Sequence, residues 1–302
     1  MVIAFVTSFR GELAALAAAL IWAIASLLFM GLGRQLSPLM LNLIKSSIAI
    51  ALILLTLFLQ SKSLPQVGLW AIGLLLLSGA IGIGLGDTAY FGSINCLGAR
   101  RALLLESLAP PMTAMLASVF LREQLKAIAW MGIVLTVLGV AWVIVERAPA
   151  GMLGQYRPQR GIGFGLMAAL GQASGAVLSR AALADTSMPP LWSTLFRLLG
   201  GVLVLAIILM VQQHSWQEIK QLRSPRLLTL TIATAFLGTY LGIWLQQTAL
   251  KYTQAGIAQA LTSTSPLFVI PIAIAWGERV SVRAILGVLV AIGGVWLLFT
   301  QP

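Results

Sequence analysis

Ionisable charge is scarce in this chain. Of its 302 residues 9% are charged and 59% are hydrophobic, whereas a soluble domain carries about 25% charged and about 45–50% apolar residues. So large an apolar excess cannot be hidden inside one core at this size, which excludes a water-soluble enzyme, and it is the opposite of a disordered composition. A single cysteine, Cys96, excludes a disulfide scaffold. Histidine is equally rare. The one residue, His214, lies in a polar connector, so neither a membrane-embedded Ser-His pair nor a Cys/His zinc cluster can be assembled. Acids number 8 against 19 Lys and Arg, a net charge of +11. In a soluble protein that excess would point to nucleic acid. Here the basic residues mostly lie between apolar runs and report membrane topology, with no nucleic-acid partner expected.

A spanning helix needs about 20 mainly apolar residues. Ten stretches qualify: Leu13–Gly33, Leu39–Leu59, Val67–Ala89, Ala102–Leu121, Ala127–Val145, Gly161–Leu183, Leu191–Val211, Leu227–Thr248, Gly256–Trp276 and Arg283–Phe299. What remains is short connectors, the longest being Glu146–Arg160 and Gln212–Arg226. The first stretch has features of a signal peptide, with Arg10 before it and Ala23-Ile24-Ala25 within it. Its counterpart in the second half argues against that reading.

That counterpart belongs to an internal repeat. Gly11 and Ala18-Ala19-Leu20 match Gly161 and Ala168-Ala169-Leu170. Pro38 and Lys45 match Pro190 and Arg197. Pro111, Glu123, Gly132, Gly139 and Val140 match Pro266, Glu278, Gly287, Gly294 and Val295. The offset drifts from 150 through 152 to 155, as small loop insertions produce. The halves are residues 1–147 and 161–302, joined by a linker over 148–160. Each half has five spans, and an odd-numbered unit repeated in tandem enters the bilayer from opposite sides, as in many secondary transporters. The expected fold is therefore an all-α integral membrane protein of ten transmembrane helices in two inverted five-helix repeats.

At this point the chain resembles the drug/metabolite transporter superfamily and its EamA-like branch. The matching segments run from Gly98-Ala99-Arg100-Arg101-Ala102-Leu103 through Pro110-Pro111 to Leu121-Arg122-Glu123. They recur from Ala249 to Gly256, through Ser265-Pro266, to Gly277-Glu278-Arg279. The resemblance implies a multi-pass protein of the plasma (cell inner) membrane, working as a monomer or homodimer on a small-molecule substrate, without metal or cofactor. It also implies both termini inside. The charge count points the other way. Arg10, Lys62, Arg122, Lys126 and Lys251 share the side of the termini, and eleven Lys and Arg gather on the opposite side. The rule that basic loops stay in the cytoplasm then places the termini outside.

Charged residues within spans cost free energy and usually face a cavity or a partner. Lys45 lies seven residues beyond Pro38, and Arg197 equally far beyond Pro190. Each is therefore about 10 Å deep, from opposite faces. One reading makes them two cations lining a central cavity for an anionic substrate group. The other lets both snorkel to the headgroups. Glu106 is a candidate proton or cation site or a counter-ion to Lys45, with a boundary pair to Arg100 or Arg101 as the alternative. Asp87 follows the small-residue run Gly82–Gly86 near an aqueous end. Arg180 reads as an interfacial anchor, and Glu123 and Glu278 as turn-fixing residues beside Arg122 and Arg279.

Pro110 and Pro111 interrupt the fourth span, and Pro266 and Pro271 the ninth, each freeing a carbonyl four residues earlier. Their recurrence at equivalent positions suggests hinges along a polar path that includes Thr262 and Ser265; a packing kink is the alternative. Gly82/Gly86 and Gly238/Gly242 have the spacing of close helix packing. Trp22, Trp192, Trp244 and Tyr240 are candidates to stack on cargo. Trp70, Trp130, Trp142 and Trp296 suit the interface or lipid.

These residues favour a secondary transporter of an amino acid or organic anion, in the export direction, with proton coupling through Glu106 as an option. A cationic-drug antiporter fits less well, since Glu12 sits only at the edge of the first span. A channel or a non-transporting membrane subunit is the alternative class. An intramembrane carboxylate-pair protease would have to use Asp87 and Glu106, a poor fit. No P-loop is present, which excludes ATP hydrolysis by this chain.

Overall fold

A computed structural model describes residues 7–32, 37–61, 65–147, 157–212, 218–219, 223–275 and 281–300. Glu278, Arg279 and His214, and most of the linker, lie outside them. The described residues contain helices and no strand. In chain order the helices are α1 (Arg10–Leu32), α2 (Pro38–Leu59), α3 (Leu69–Gly79), α4 (Asp87–Leu97), α5 (Ala99–Glu106), α6 (Ala109–Phe120) and α7 (Ala127–Arg147) in the first half. The second half holds α8 (Pro158–Leu183), α9 (Pro190–Val211), α10 (Pro225–Thr234), α11 (Gly242–Tyr252), α12 (Ala255–Thr262), α13 (Ser265–Ala275) and α14 (Val282–Phe299). Nine helical stretches among the described residues are long and apolar enough to cross a membrane. The 23-residue α1 precedes them.

The packing is that of a protein dissolved in lipid. Small residues lie inside: Ala15, Ala18, Ala19 and Ala23 on α1, and Ala168, Ala169, Ala173 and Ala176 on α8, are buried. Large apolar side chains face out, with Phe58 80% and Leu203 63% exposed. Without a hydrophobic drive between helices in hydrocarbon, association rests on close backbone approach, which small residues permit.

Glycine pairs record that approach and its polarity. A Cβ on Gly139 would come within 2.6 Å of the Gly287 carbonyl oxygen, and one on Gly294 within 2.8 Å of the Gly132 carbonyl oxygen. Position 132 thus faces 294 while 139 faces 287, so α7 and α14 run antiparallel. These four glycines are repeat mates, and each faces the mate of its helix neighbour. Gly82 faces Gly175 and Gly86 faces Gly171 in the same way, as the GxxxG spacing anticipates.

The two halves interlock. α1 packs on α11, α12 and α13 of the second half, and α8 packs on α3, α4 and α6 of the first. The helical stretches Leu69–Leu97 and Pro225–Tyr252 are each interrupted by a seven-residue π-helical segment, Ala80–Gly86 and Ala235–Leu241, a wider coil often found at functional sites. The stretches Arg101–Phe120 and Ala255–Ile272 are both broken after an eight-residue helix, at Ser107-Leu108 and Ser263-Thr264. Pro110, Pro111 and Pro266 sit in the first turn of the helices that follow, where the missing N–H would be unpaired anyway. The prolines expected to interrupt these helices thus stand just after each break, at the start of its second piece. Among the prolines of the described residues, Pro271 alone lies in a helix interior. Gly98 has φ +83°, a conformation glycine adopts without strain, and it makes the corner between α4 and α5.

Candidate functional site

Both π-helical segments and both broken spans meet at one cavity of about 310 Å³. The α2 start brings Asn42, Lys45 and Ser46, and the first π segment and its end bring Ile83 and Asp87. The α5–α6 break brings Glu106, Ala109 and Pro110. The second half adds Gln172, Arg197, Thr239, Gln246, Gln259, Thr262 and Ser263, and Trp22 enters from α1.

The lining keeps the repeat. Lys45 and Arg197 differ by 152, Trp22 and Gln172 by 150, and Ile83 and Thr239, Asp87 and Ile243, and Glu106 and Thr262 each by 156. Position is conserved between the halves while chemistry is not. Each half supplies one cation, but both acids come from the first. With all four ionised the cavity is charge-balanced, not simply cationic as the Lys45–Arg197 pair alone suggests.

The polar groups are held in part. Asn42 Nδ2 donates to Asp87 Oδ2 at 2.8 Å, and Gln172 Nε2 donates to Asp87 Oδ1 at 3.2 Å. Trp22 Nε1 donates to the Gly238 carbonyl in the second π segment at 2.8 Å. Arg197 is 2% exposed, and its Nη1 donates to Ser179 Oγ at 3.4 Å. Other groups are left open. Among the described residues six buried side-chain polar atoms have no hydrogen-bond partner, and four of them line this cavity: Arg197 Nε, Glu106 Oε2, Gln259 Oε1 and Ser46 Oγ. Buried polar atoms are normally paired, and an unmade bond costs about 1–3 kcal/mol. All four face the cavity, where water or a polar guest can meet them. Arg197 Nε needs an acceptor, Glu106 Oε2 and Gln259 Oε1 accept from donors, and Ser46 Oγ does either.

Of the residues singled out in the sequence, the cavity gathers Lys45, Arg197, Asp87, Glu106, Thr262 and Pro110. Ser265 and Trp244 are not among its lining residues; Ser265 is half-buried at the start of α13, and Trp244 is 37% exposed. Trp192 packs between the apolar cores and on Phe196, and Tyr240 stacks on Phe236. Trp70, Trp142 and Trp296 are exposed, whereas Trp130 packs against the core. Arg180 and Glu123 pair with each other. Asn42, Gln172, Gln246 and Gln259 escaped the sequence reading, since an uncharged amide within an apolar span gives no charge signal.

No curated protein matches this chain by sequence. A crystal structure of a protein superposes on it with a TM-score of 0.76, covering 95% of this chain and 96% of its own, at 15% identity. That likeness shows the fold. The model of the EamA-like transporter family matches residues 9–145 and again 159–300, so both halves, and with them the whole bundle around the cavity, carry the same signature, and the chain belongs to the EamA-like transporter family.

Proposed function

We propose that this transporter carries a small amphoteric metabolite, an amino acid or a similar acid bearing a hydrogen-bond donor, by alternating access around the central cavity. One observation carries the reading: four buried polar atoms of opposite hydrogen-bonding character face one space of about 310 Å³ with no partner in the protein. An anionic group pairs with Arg197 and Lys45. An ammonium or hydroxyl group meets Glu106 and Gln259. The wider expectation of an organic anion narrows, because a dianion would set one acid group against Asp87 or Glu106.

Ten crossings in two inverted repeats, residues 1–147 and 161–302, provide the frame. The antiparallel glycine register of α7 and α14, in which each glycine faces the repeat mate of its helix neighbour, supports that polarity. So do the paired π segments and paired breaks. Export across the plasma membrane, with Glu106 as the proton-coupling group, is the working direction.

Proteoliposome flux tests the reading against a panel of amino acids, organic acids, phosphorylated metabolites and cationic dyes, at acid and neutral interior pH. Flux of zwitterionic amino acids above the others is expected, accelerated by a proton gradient. Transport of cationic dyes alone would overturn it.

A further inference from the structure

Two paired charged side chains lie outside the cavity lining. Glu123 sits in the turn between α6 and α7, in the first half, and Arg180 lies near the end of α8, in the second. Arg180 Nε donates to Glu123 Oε1 at 2.8 Å, with the side chains only 17% and 11% exposed. Arg180 Nη1 donates to the carbonyls of Leu250 at 2.9 Å and Lys251 at 2.8 Å. Glu123 Oε2 accepts from the Ala255 N–H at 2.9 Å. The pair therefore clamps both sides of the bend between α11 and α12. The cation meets the carbonyl end of one helix and the anion the amide end of the next, as helix partial charges favour. Lys251 ties in the turn between α8 and α9, where its Nζ donates to the carbonyls of Met188 at 2.6 Å and Thr186 at 3.2 Å. All of this lies at the face where α1 begins and α14 ends. Arg10 stands 4.3 Å over the Tyr252 ring, and the Phe9 and Phe299 rings are 5.4 Å apart.

A buried network runs from the cavity to Ser179, the residue next to Arg180 on α8. Ser179 Oγ accepts from Arg197 Nη1 at 3.4 Å and from Gln247 Nε2 at 3.3 Å. With both lone pairs engaged, its own hydrogen goes to Ser78 Oγ at 2.8 Å, and that of Ser78 to the Gly175 carbonyl at 2.7 Å. Ser193 Oγ donates to Gln247 Oε1 at 2.6 Å. Successive residues of α8, Ser179 and Arg180, thus hold the cavity arginine and the clamp. The repeat makes the clamp one-sided in sequence. At the offset of 150 that aligns Gly11 with Gly161, Arg180 corresponds to Met30, while Glu123 corresponds to Glu278.

We propose that the Arg180–Glu123 pair is the gate of this face, made while the cavity is shut there and broken when it opens there. The inference rests on the transporter reading, and its test needs no cargo. In a Cys96→Ala background, Ser263→Cys supplies a thiol on the cavity wall. A membrane-impermeant anionic methanethiosulfonate is applied from either face of oriented vesicles. With the pair intact, labelling from the clamp face is slow. Glu123→Gln and, independently, Arg180→Gln raise it about tenfold or more, the factor corresponding to about 1.4 kcal/mol, while labelling from the opposite face and the melting temperature hold. Unchanged labelling from the clamp face in folded variants overturns the gate. Loss of the fold in both variants also overturns it, by making the pair a structural staple. A chain that passes this test yet moves none of the flux panel retains the gate and loses only the cargo assignment.

Discussion

Asn42 and Asp87, 45 residues apart on the second and third spans, are joined by a 2.8 Å hydrogen bond from Nδ2 to Oδ2. The bond fixes the carboxylate that stands between Lys45 and Gln172 on the cavity wall. Asn42→Ala removes the shorter of the two hydrogen bonds that Asn42 and Gln172 give Asp87, and hydrogen bonds to charged groups are worth about 1.5–3 kcal/mol. The expected result is a lower melting temperature in detergent and a cargo affinity reduced about tenfold. Asn42→Gln, which keeps the donor, recovers part of both. An unchanged affinity and melting temperature in Asn42→Ala would show that the bond carries neither role.

The cations are predicted to act as a pair. Lys45→Met and Arg197→Met each keep an apolar stem and remove the charge. If each cation contacts the anionic group of the cargo, the single variants lose about ten- to a hundredfold in transport. The double variant loses no more than the product, with membrane insertion unaffected. Scintillation-counted uptake and export, beside the amount of protein in the membrane fraction, decide the matter. Normal flux by the double variant excludes the cavity as the binding site.

Much of this wall was legible in the sequence, for a physical reason. A full charge in an apolar span stands out, so Lys45, Arg197, Asp87 and Glu106 could be picked one by one, and proline marks the breaks that turn Glu106 and Thr262 inward. Helix edges were equally visible. Pro38 and the end of the apolar run at Leu59 bound α2, and the last helix, expected over Arg283–Phe299, runs over Val282–Phe299. The π segments were not visible, because a seven-residue change of coil inside a long apolar run leaves composition and length of the run unchanged. The partner of Glu123 was not visible either, since Arg122 adjoins it in sequence and Arg180 only in space. Ser265 was misjudged. The chain leaves α12 at the Ser263-Thr264 break, so Ser263 borders the cavity while Ser265, the first residue of α13, does not.

The glycine seam between α7 and α14 is predicted to tolerate nothing larger. In Gly139→Leu the new side chain would meet the Ala291 amide and the Gly287 carbonyl, forcing the helices apart. Overpacking of this kind costs about 1–3 kcal/mol, and here it acts on the contact that relates the two halves. Gly293→Ala is the control. A Cβ there meets nothing within 4 Å, and the helix gains up to about 1 kcal/mol. Thermal unfolding followed by size-exclusion profile should separate the two clearly. Equal melting temperatures would mean that the seam is not a stabilising contact.

Pro266 is predicted to govern the speed of cycling rather than the strength of binding. It occupies the second position of α13, directly after the Ser263-Thr264 break that brings Gln259, Thr262 and Ser263 to the cavity. A proline there bars a continuous helix through the break, because its ring clashes with the carbonyl four residues earlier, at a cost of about 3 kcal/mol. Pro266→Ala removes the bar and lets α12 and α13 merge into one straight rod, which cannot bend as the cavity opens and closes. Turnover should therefore fall several-fold while the cargo dissociation constant, measured by equilibrium binding in detergent, changes little. Pro271→Ala, inside α13 on its exposed side, should leave turnover close to wild type. A matched loss in both variants, or a loss confined to binding, would assign the break a packing role in place of a hinge.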